Sequence, residues 1–378
     1  MDLDDRMNAV RERMASDDID LLIATSNGFH TLDKPDPVAH LSGYRCLAEG
    51  LLLVPRDGTA VLIVSPAADA ERVATRCSAP RCIATDDLAS TLAEELRARN
   101  LRPTQIATTG IESLPYKLAA RLLSLIGEDS RSFDNTLYSI NPRKTNGEIE
   151  RARRATAIAE KGFDRLIEFA REGMAESVVA VELNCFTKSL GADDNFLMLS
   201  ASPHNSAVMP SSSRKLERGD ILLVEFSPSV EGQFSQICRT VSLGPHRSEV
   251  QEKYDLVVRA MWAGIKTIRA GIAVSEVCNA IDRVLEAAGY GKYCHPPHIR
   301  RRGHGLGCGS VAPGDISSDN HTILEEGMLF VVHPNQYIPE VGYLLCGESV
   351  RVTGTGCEIL AKQTAKIGIV DPDQAGSL

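Results

Sequence analysis

Two apolar runs in the C-terminal half each end on an ionisable residue, and that pattern constrains the fold most. Ile221-Leu222-Leu223-Val224 runs into Glu225, and Leu329-Phe330-Val331-Val332 runs into His333 before Pro334. Short continuous apolar runs read as buried strands. A carboxylate or imidazole at the end of such a strand costs too much to bury without a partner. Between the runs stands Gly303-His304-Gly305-Leu306-Gly307, a histidine flanked by residues that allow close backbone approach. Glu225 and Gln236 are 11 residues apart, and His304 and His333 are 29 apart. Three of these residues have a structural alternative: an ion pair for Glu225, a hydrogen-bonded core histidine for His333, a simple hydrogen bond to Glu225 for Gln236.

The first 140 residues alternate helix and strand patterns. Helices are expected from Arg6 to Met14, Asp87 to Arg99 and Pro115 to Ile126. Strands are expected over Ile19–Ala24, Gly50–Pro55, Thr59–Ser65 and Gln105–Thr108. Interleaved elements imply an α/β layer. A boundary is expected at Asn141-Pro142-Arg143-Lys144-Thr145-Asn146, where a proline precedes a polar run. The expected domains are therefore 1–140 and 141–378. A long helix should follow from Glu148 to Glu172, with others over Tyr254–Ala270 and Ser275–Ala288.

The spaced motifs together resemble the methionine aminopeptidase, prolidase and creatinase superfamily, the pita-bread fold. The matching segments are Gly219-Asp220-Ile221-Leu222-Leu223-Val224-Glu225, Ser235-Gln236-Ile237-Cys238-Arg239-Thr240, the Gly-His-Gly segment, Glu326 to Pro334, and Gly347-Glu348-Ser349-Val350-Arg351-Val352-Thr353. The resemblance implies an α/β N-terminal domain, similar to that of creatinase and prolidase, plus an α+β pita-bread catalytic domain. Metal-dependent members hold two divalent ions with Asp, Asp, His, Glu and Glu. Those positions here carry Glu225, Gln236, His304, His333 and Gly347. Four anionic ligands become one, so a two-ion centre is not expected.

The resemblance thus implies a metal-free site like those of creatinase and ectoine hydrolase. Glu225, His304 and His333 are its catalytic candidates, with a carboxylate activating water and a histidine shuttling protons. Gln236, Arg45, His204, Tyr343 and Glu348 are the substrate-binding candidates. Glu348 neighbours the lost ligand, but adjacent strand residues point to opposite faces. No histidine occupies the position of creatinase's catalytic one, so creatine is not the expected substrate. An alternative is one Zn or Fe ion on Glu225, His304 and His333, a set suited to either metal. Cys238 is a nucleophile only if its pKa is lowered; otherwise it is core filling.

The resulting expectation is a hydrolase of an amide, amidine or lactam C–N bond in a small polar metabolite. The alternatives are a metal-dependent Xaa-Pro aminopeptidase or dipeptidase, a non-enzymatic binding module, and a lyase on a small betaine-like compound. The expected partners are a small-molecule substrate and a second copy of the chain, forming a homodimer with Arg45 near the neighbour's site. A net charge of −9 argues against nucleic acid. No apolar run approaches a membrane span. The ten cysteines form no Cys-x-x-Cys pair, and the charged start lacks the pattern of a secretory signal, which points to the cytoplasm.

Overall fold

The computed structural model describes residues 3–76, 81–127, 129–140, 142–309 and 311–371. The chain divides into two compact units, Met1–Thr145 and Asn146–Leu378. Asn141, at the start of the expected boundary, lies outside the described residues.

In the first unit, the strands Leu21–Ser26, Gly50–Pro55, Val61–Val64, Arg81–Ala84, Ile106–Thr109 and Arg131–Ser132 form one mixed sheet. Leu21–Ser26 lies near its middle, antiparallel to Gly50–Pro55 and parallel to Ile106–Thr109. Its apolar run has two uses because strand side chains alternate. Leu22 and Ala24 join one core with Val10, Met14 and Val54, whereas Leu21 and Ile23 join another with Leu88, Leu92 and Leu122. Burial on both faces explains why the strand shows no polar alternation. The helix predicted at Asp87 runs over Leu88–Arg97 with Asp87 as its N-cap, accepting from the Ser90 N–H.

The second unit is built on two sheets. The first runs Gly368–Val370, Ile237–Leu243, Ile221–Val230, Asp194–Ser202, with Gln233–Phe234 paired to Ile221–Val230. The second runs Gly303–Gly305, Leu329–Val332, Glu348–Val352, Cys357–Ile359. A reciprocal bridge joins them: the Cys238 N–H donates to Gly347 O at 3.2 Å, and the Gly347 N–H donates to Cys238 O at 3.1 Å.

Strand Ile221–Val230 is buried along its whole length. Leu222, Val224 and Phe226 pack with Ala159, Phe163 and Leu166 of helix Asn146–Phe169 and with Leu183 of helix Glu176–Ser189. Ile221 and Leu223 pack on the opposite face with helices Ser248–Thr267 and Val274–Ala287. Those helices present Val250, Tyr254, Val257, Met261 and Ile265, and Val274, Val277, Cys278, Ile281 and Leu285. Such spacing places each set on one helical stripe. By strand parity Glu225 shares the face of Leu223. The only polar member of that apolar run is therefore turned into the interior of the unit.

Candidate active site

Glu225 sits on the inner strand of the first sheet, directly opposite Cys238 on Ile237–Leu243. Opposed residues of an antiparallel pair share a face. The Cys238 Sγ accordingly lies 3.8 Å from Glu225 Oε1. On the other side of Cys238, Gln236 Nε2 stands 3.7 Å from the same sulfur. The Gln236 main chain is held by Ser349, whose hydroxyl accepts from its N–H at 3.0 Å and donates to its carbonyl at 2.8 Å.

The two histidines come from the second sheet. His304 lies in the three-residue strand Gly303–Gly305, paired with Val331, and His333 follows directly on Leu329–Val332. Their rings meet edge to face, 5.4 Å between centroids. The flanking glycines are required by close approach. A Cβ at 305 would lie 1.8 Å from the Val311 carbonyl oxygen, and one at 303 would lie 2.0 Å from that of Val331. The His304 Nδ1 is 3.1 Å from the Gly305 carbonyl. A carbonyl only accepts, so Nδ1 carries a proton. His333 is 6% exposed, and its Nδ1 has no hydrogen-bond partner. Burial, followed by the His304 ring, holds it well below the usual imidazole range, so it is neutral at physiological pH.

Gly347 borders the same group. A Cβ there would lie 2.7 Å from His333 Cβ and 3.0 Å from Cys238 Sγ. The space a longer side chain would need at this position is already filled. Tyr343 is buried, and its hydroxyl pKa is raised by burial and then by Glu225.

Several sequence-based assignments change. Glu348 is not a substrate ligand. Its carboxylate pairs with the Arg239 guanidinium at 3.0 Å, the two side chains being 3% and 1% exposed. Arg239 in turn lies over the Phe163 ring. Burial pushes the Glu348 carboxyl up to about 7, against the pull of Arg239. His204 is exposed, bonded through Nε2 to the Pro339 carbonyl at 2.9 Å and set edge-on to Tyr337. It is directed to the hairpin Gln336–Ile338/Gly342–Leu344 and not to Glu225. Arg45 belongs to the first unit, where its carbonyl accepts from Arg72, and its place near a neighbouring chain's site stays a proposal. Cys238 is fully buried, and burial plus Glu225 raise its thiol far above the ordinary value. It is therefore not an activated nucleophile.

One site residue escapes the sequence reading. Asn335 is 3% exposed and has a positive φ of 34°. Its Nδ2 donates to Glu225 Oε1 at 3.0 Å. The only advance signal was its place two residues after His333.

The family model described as metallopeptidase family M24 matches residues 150–358, more than half the chain, so this protein belongs to that family. Its fold is the pita-bread fold behind an N-terminal α/β domain, and it is a hydrolase acting on C–N bonds. An uncharacterized peptidase of Staphylococcus aureus strain MW2 is 28% identical over 342 residues, spanning 87% of this chain and 93% of the relative. The prolidase from Pyrococcus horikoshii OT3 superposes with a TM-score of 0.83 at 22% identity, over 96% of this chain and 99% of that one. The Xaa-Pro dipeptidase from Bacillus anthracis gives 0.82 at 22%, over 97% and 100%. At these identities the solved structures speak for the fold.

The family name implies divalent metal, and the residues present do not fit its two ions. Gln236 is neutral, Gly347 has no side chain, and His333 and Cys238 occupy the room a carboxylate at 347 would take. Among the described residues no group of three or more His, Cys, Asp or Glu side chains is gathered to hold an ion. This includes Glu225, His304 and His333, whose carboxylate oxygen Oε1 already accepts from Asn335. No helix among the described residues is long and apolar enough to cross a membrane.

Proposed function

We propose that this chain hydrolyses the C–N bond of short peptides of the Xaa-Pro kind, using Glu225, His304 and His333 as acid–base groups. Membership of the M24 family supports a peptide substrate over the small-metabolite expectation. The likeness to a prolidase and to an Xaa-Pro dipeptidase supports it further. The carrying observation at the site is the edge-to-face pair of buried histidines His304 and His333, which Cys238 and Gly347 connect to the buried carboxylate Glu225.

In this reading Glu225 takes a proton from water as its oxygen adds to the scissile carbonyl. His304, whose Nδ1 donates to the Gly305 carbonyl, receives that proton on Nε2 and delivers it to the departing nitrogen. The C–N bond breaks, and the products are a carboxylic acid and an amine. His333, held neutral by burial, places no positive charge against the His304 ring that must take up the proton. A homodimer that brings Arg45 toward the neighbour's site belongs to the same proposal, as does a separate creatinase-like role for the first unit.

The second reading is hydrolysis of a small polar amide, amidine or lactam. It is favoured by the donor set, which leaves one anion where the family's two-ion chemistry uses four. The deciding assay follows alanine release from Ala-Pro and from Ala-Pro-Ala, with and without added Mn²⁺, in wild type and in Glu225→Gln. Release that falls by about 10²–10⁴-fold in the variant is expected for loss of a general base. Absence of release under both metal conditions rejects the peptide substrate. A panel of lactams and amidines then separates the metabolite hydrolase from a binding module.

A further inference from the structure

Asn335 occupies a position that the chain takes trouble to maintain. A φ of 34° lies in the left-handed region, which few non-glycine residues enter, asparagine most readily among them. The segment around it is pinned from beneath by Arg302, whose side chain is 1% exposed. Arg302 Nη1 donates to the carbonyls of Pro334 and Asn335 and to Gln336 Oε1, the last at 3.0 Å. Its Nε donates to Asp282 Oδ1 on helix Val274–Ala287 at 2.7 Å. The Arg302 carbonyl accepts from the His333 N–H at 2.9 Å. Residues 333–336 are thereby fixed at both ends.

The consequence is the bond from Asn335 Nδ2 to Glu225 Oε1 at 3.0 Å. A carboxylate only accepts, so the amide must turn its NH₂ toward Glu225 and its carbonyl away. Asn335 Oδ1 is then buried with no hydrogen-bond partner in the protein. So is Gln236 Oε1, on a residue linked to the same carboxylate through Cys238. A buried acceptor left unmet is costly, and native proteins leave few of them without a reason. Both orphaned acceptors stand beside the carboxylate and call for donors.

We propose that Asn335 is the specificity-determining residue of this site: Nδ2 orients Glu225, while Oδ1 receives an N–H of the substrate. The inference rests on the C–N hydrolase reading and adds the chemical class recognised, a primary or secondary amide or an amine. For a peptide of the Xaa-Pro kind the scissile nitrogen carries no hydrogen. The N–H then comes from the substrate's amino terminus.

The experiment is ligand-observed NMR on the full chain with acetamide and with N,N-dimethylacetamide, which lacks the N–H. Wild type and Asn335→Gly are compared. Glycine adopts positive φ freely, so the variant keeps its backbone, and circular dichroism checks that it is folded. Wild type should bind acetamide about fivefold more tightly, the worth of one hydrogen bond, and the variant should show no preference. Equal binding of the two amides by wild type, or a preference that survives in Asn335→Gly, overturns the assignment. A water satisfying Oδ1 would give the first of these results. In the alanine-release assay the variant should lose about fivefold in kcat/KM on Ala-Pro, the worth of one hydrogen bond. An unchanged kcat/KM reduces Asn335 to a structural residue. Amide preference without peptide hydrolysis leaves this inference standing and removes the peptidase reading. Hydrolysis without the preference does the reverse.

Discussion

Gly347→Ala is the smallest change that probes how the site has closed. The added Cβ would stand 2.7 Å from His333 Cβ, 3.0 Å from Cys238 Sγ and 3.1 Å from Cys238 Cβ. Neither neighbour can retreat easily. The His333 N–H is bonded to the Arg302 carbonyl at 2.9 Å, and Gly347 and Cys238 are bridged through both of their main-chain groups. Overpacking of this kind costs about 1–3 kcal/mol. For a unit of this size each kcal/mol lowers Tm by about 2–4 °C, so a fall of about 2–12 °C is expected. Thermal melts followed by circular dichroism at fixed pH would measure it. Cys238→Ala combined with Gly347→Ala should recover only part of the loss, because the His333 contact remains. Gly347→Glu, which supplies a carboxylate at the family's fifth ligand position, should melt lower still and gain no Mn²⁺. An unchanged Tm in Gly347→Ala, or two ions per chain in Gly347→Glu, would refute the claim that side chains have filled the ligand space.

Two further outcomes follow from groups around the site. Cys238→Ser should retain most activity, and Cys238 of the folded wild type should resist iodoacetamide at pH 8, since burial keeps the thiol protonated; rapid alkylation would overturn this. Glu348 should make stability fall as pH rises. Its folded-state carboxyl titrates near 7, above its ordinary value of 4.5, so the folded protein binds the proton more tightly. That contribution is present below 4.5 and lost through about 7. Melts across this window should fall less steeply in Glu348→Gln than in wild type, and parallel curves would sink the argument.

Glu225, His304 and His333 stood out in the sequence because each interrupts or ends a pattern with a single reading. An apolar run that ends on a charge, and a histidine between glycines, are local signals. Strands such as Gly50–Pro55 were readable for the same reason. Asn335 and Glu348 were not, because their roles depend on partners distant in the chain. Asn335 meets Glu225 across 110 residues, and Glu348 meets Arg239 across 109. Adjacency to a missing ligand made Glu348 attractive, but the Arg239 guanidinium decides where its carboxylate goes. His204 drew notice from its neighbours in sequence, whereas the Pro339 carbonyl holds it. Helix Glu176–Ser189 was missed because Val178 and Val181 face solvent and blur its apolar stripe. That Gln236, His333 and Gly347 depart from the family's two-ion ligand set was legible from residue types alone. That His333 and Cys238 crowd the vacated position required coordinates.

The bond between Asn335 and Glu225 also sets a schedule for the growing chain. Glu225 leaves the ribosome's decoding centre 110 residues before Asn335 is added. At about 5–20 residues per second that interval lasts about 5–20 s. Ser349, which holds Gln236 in place, arrives later still. Through that time the strand carrying Glu225 can pair with Asp194–Ser202 and Ile237–Leu243, but its carboxylate has no amide to face. The nascent protein thus has the three longest strands of that sheet available well before it has a working pocket, and a chain cut short before Asn335 would be an inert scaffold.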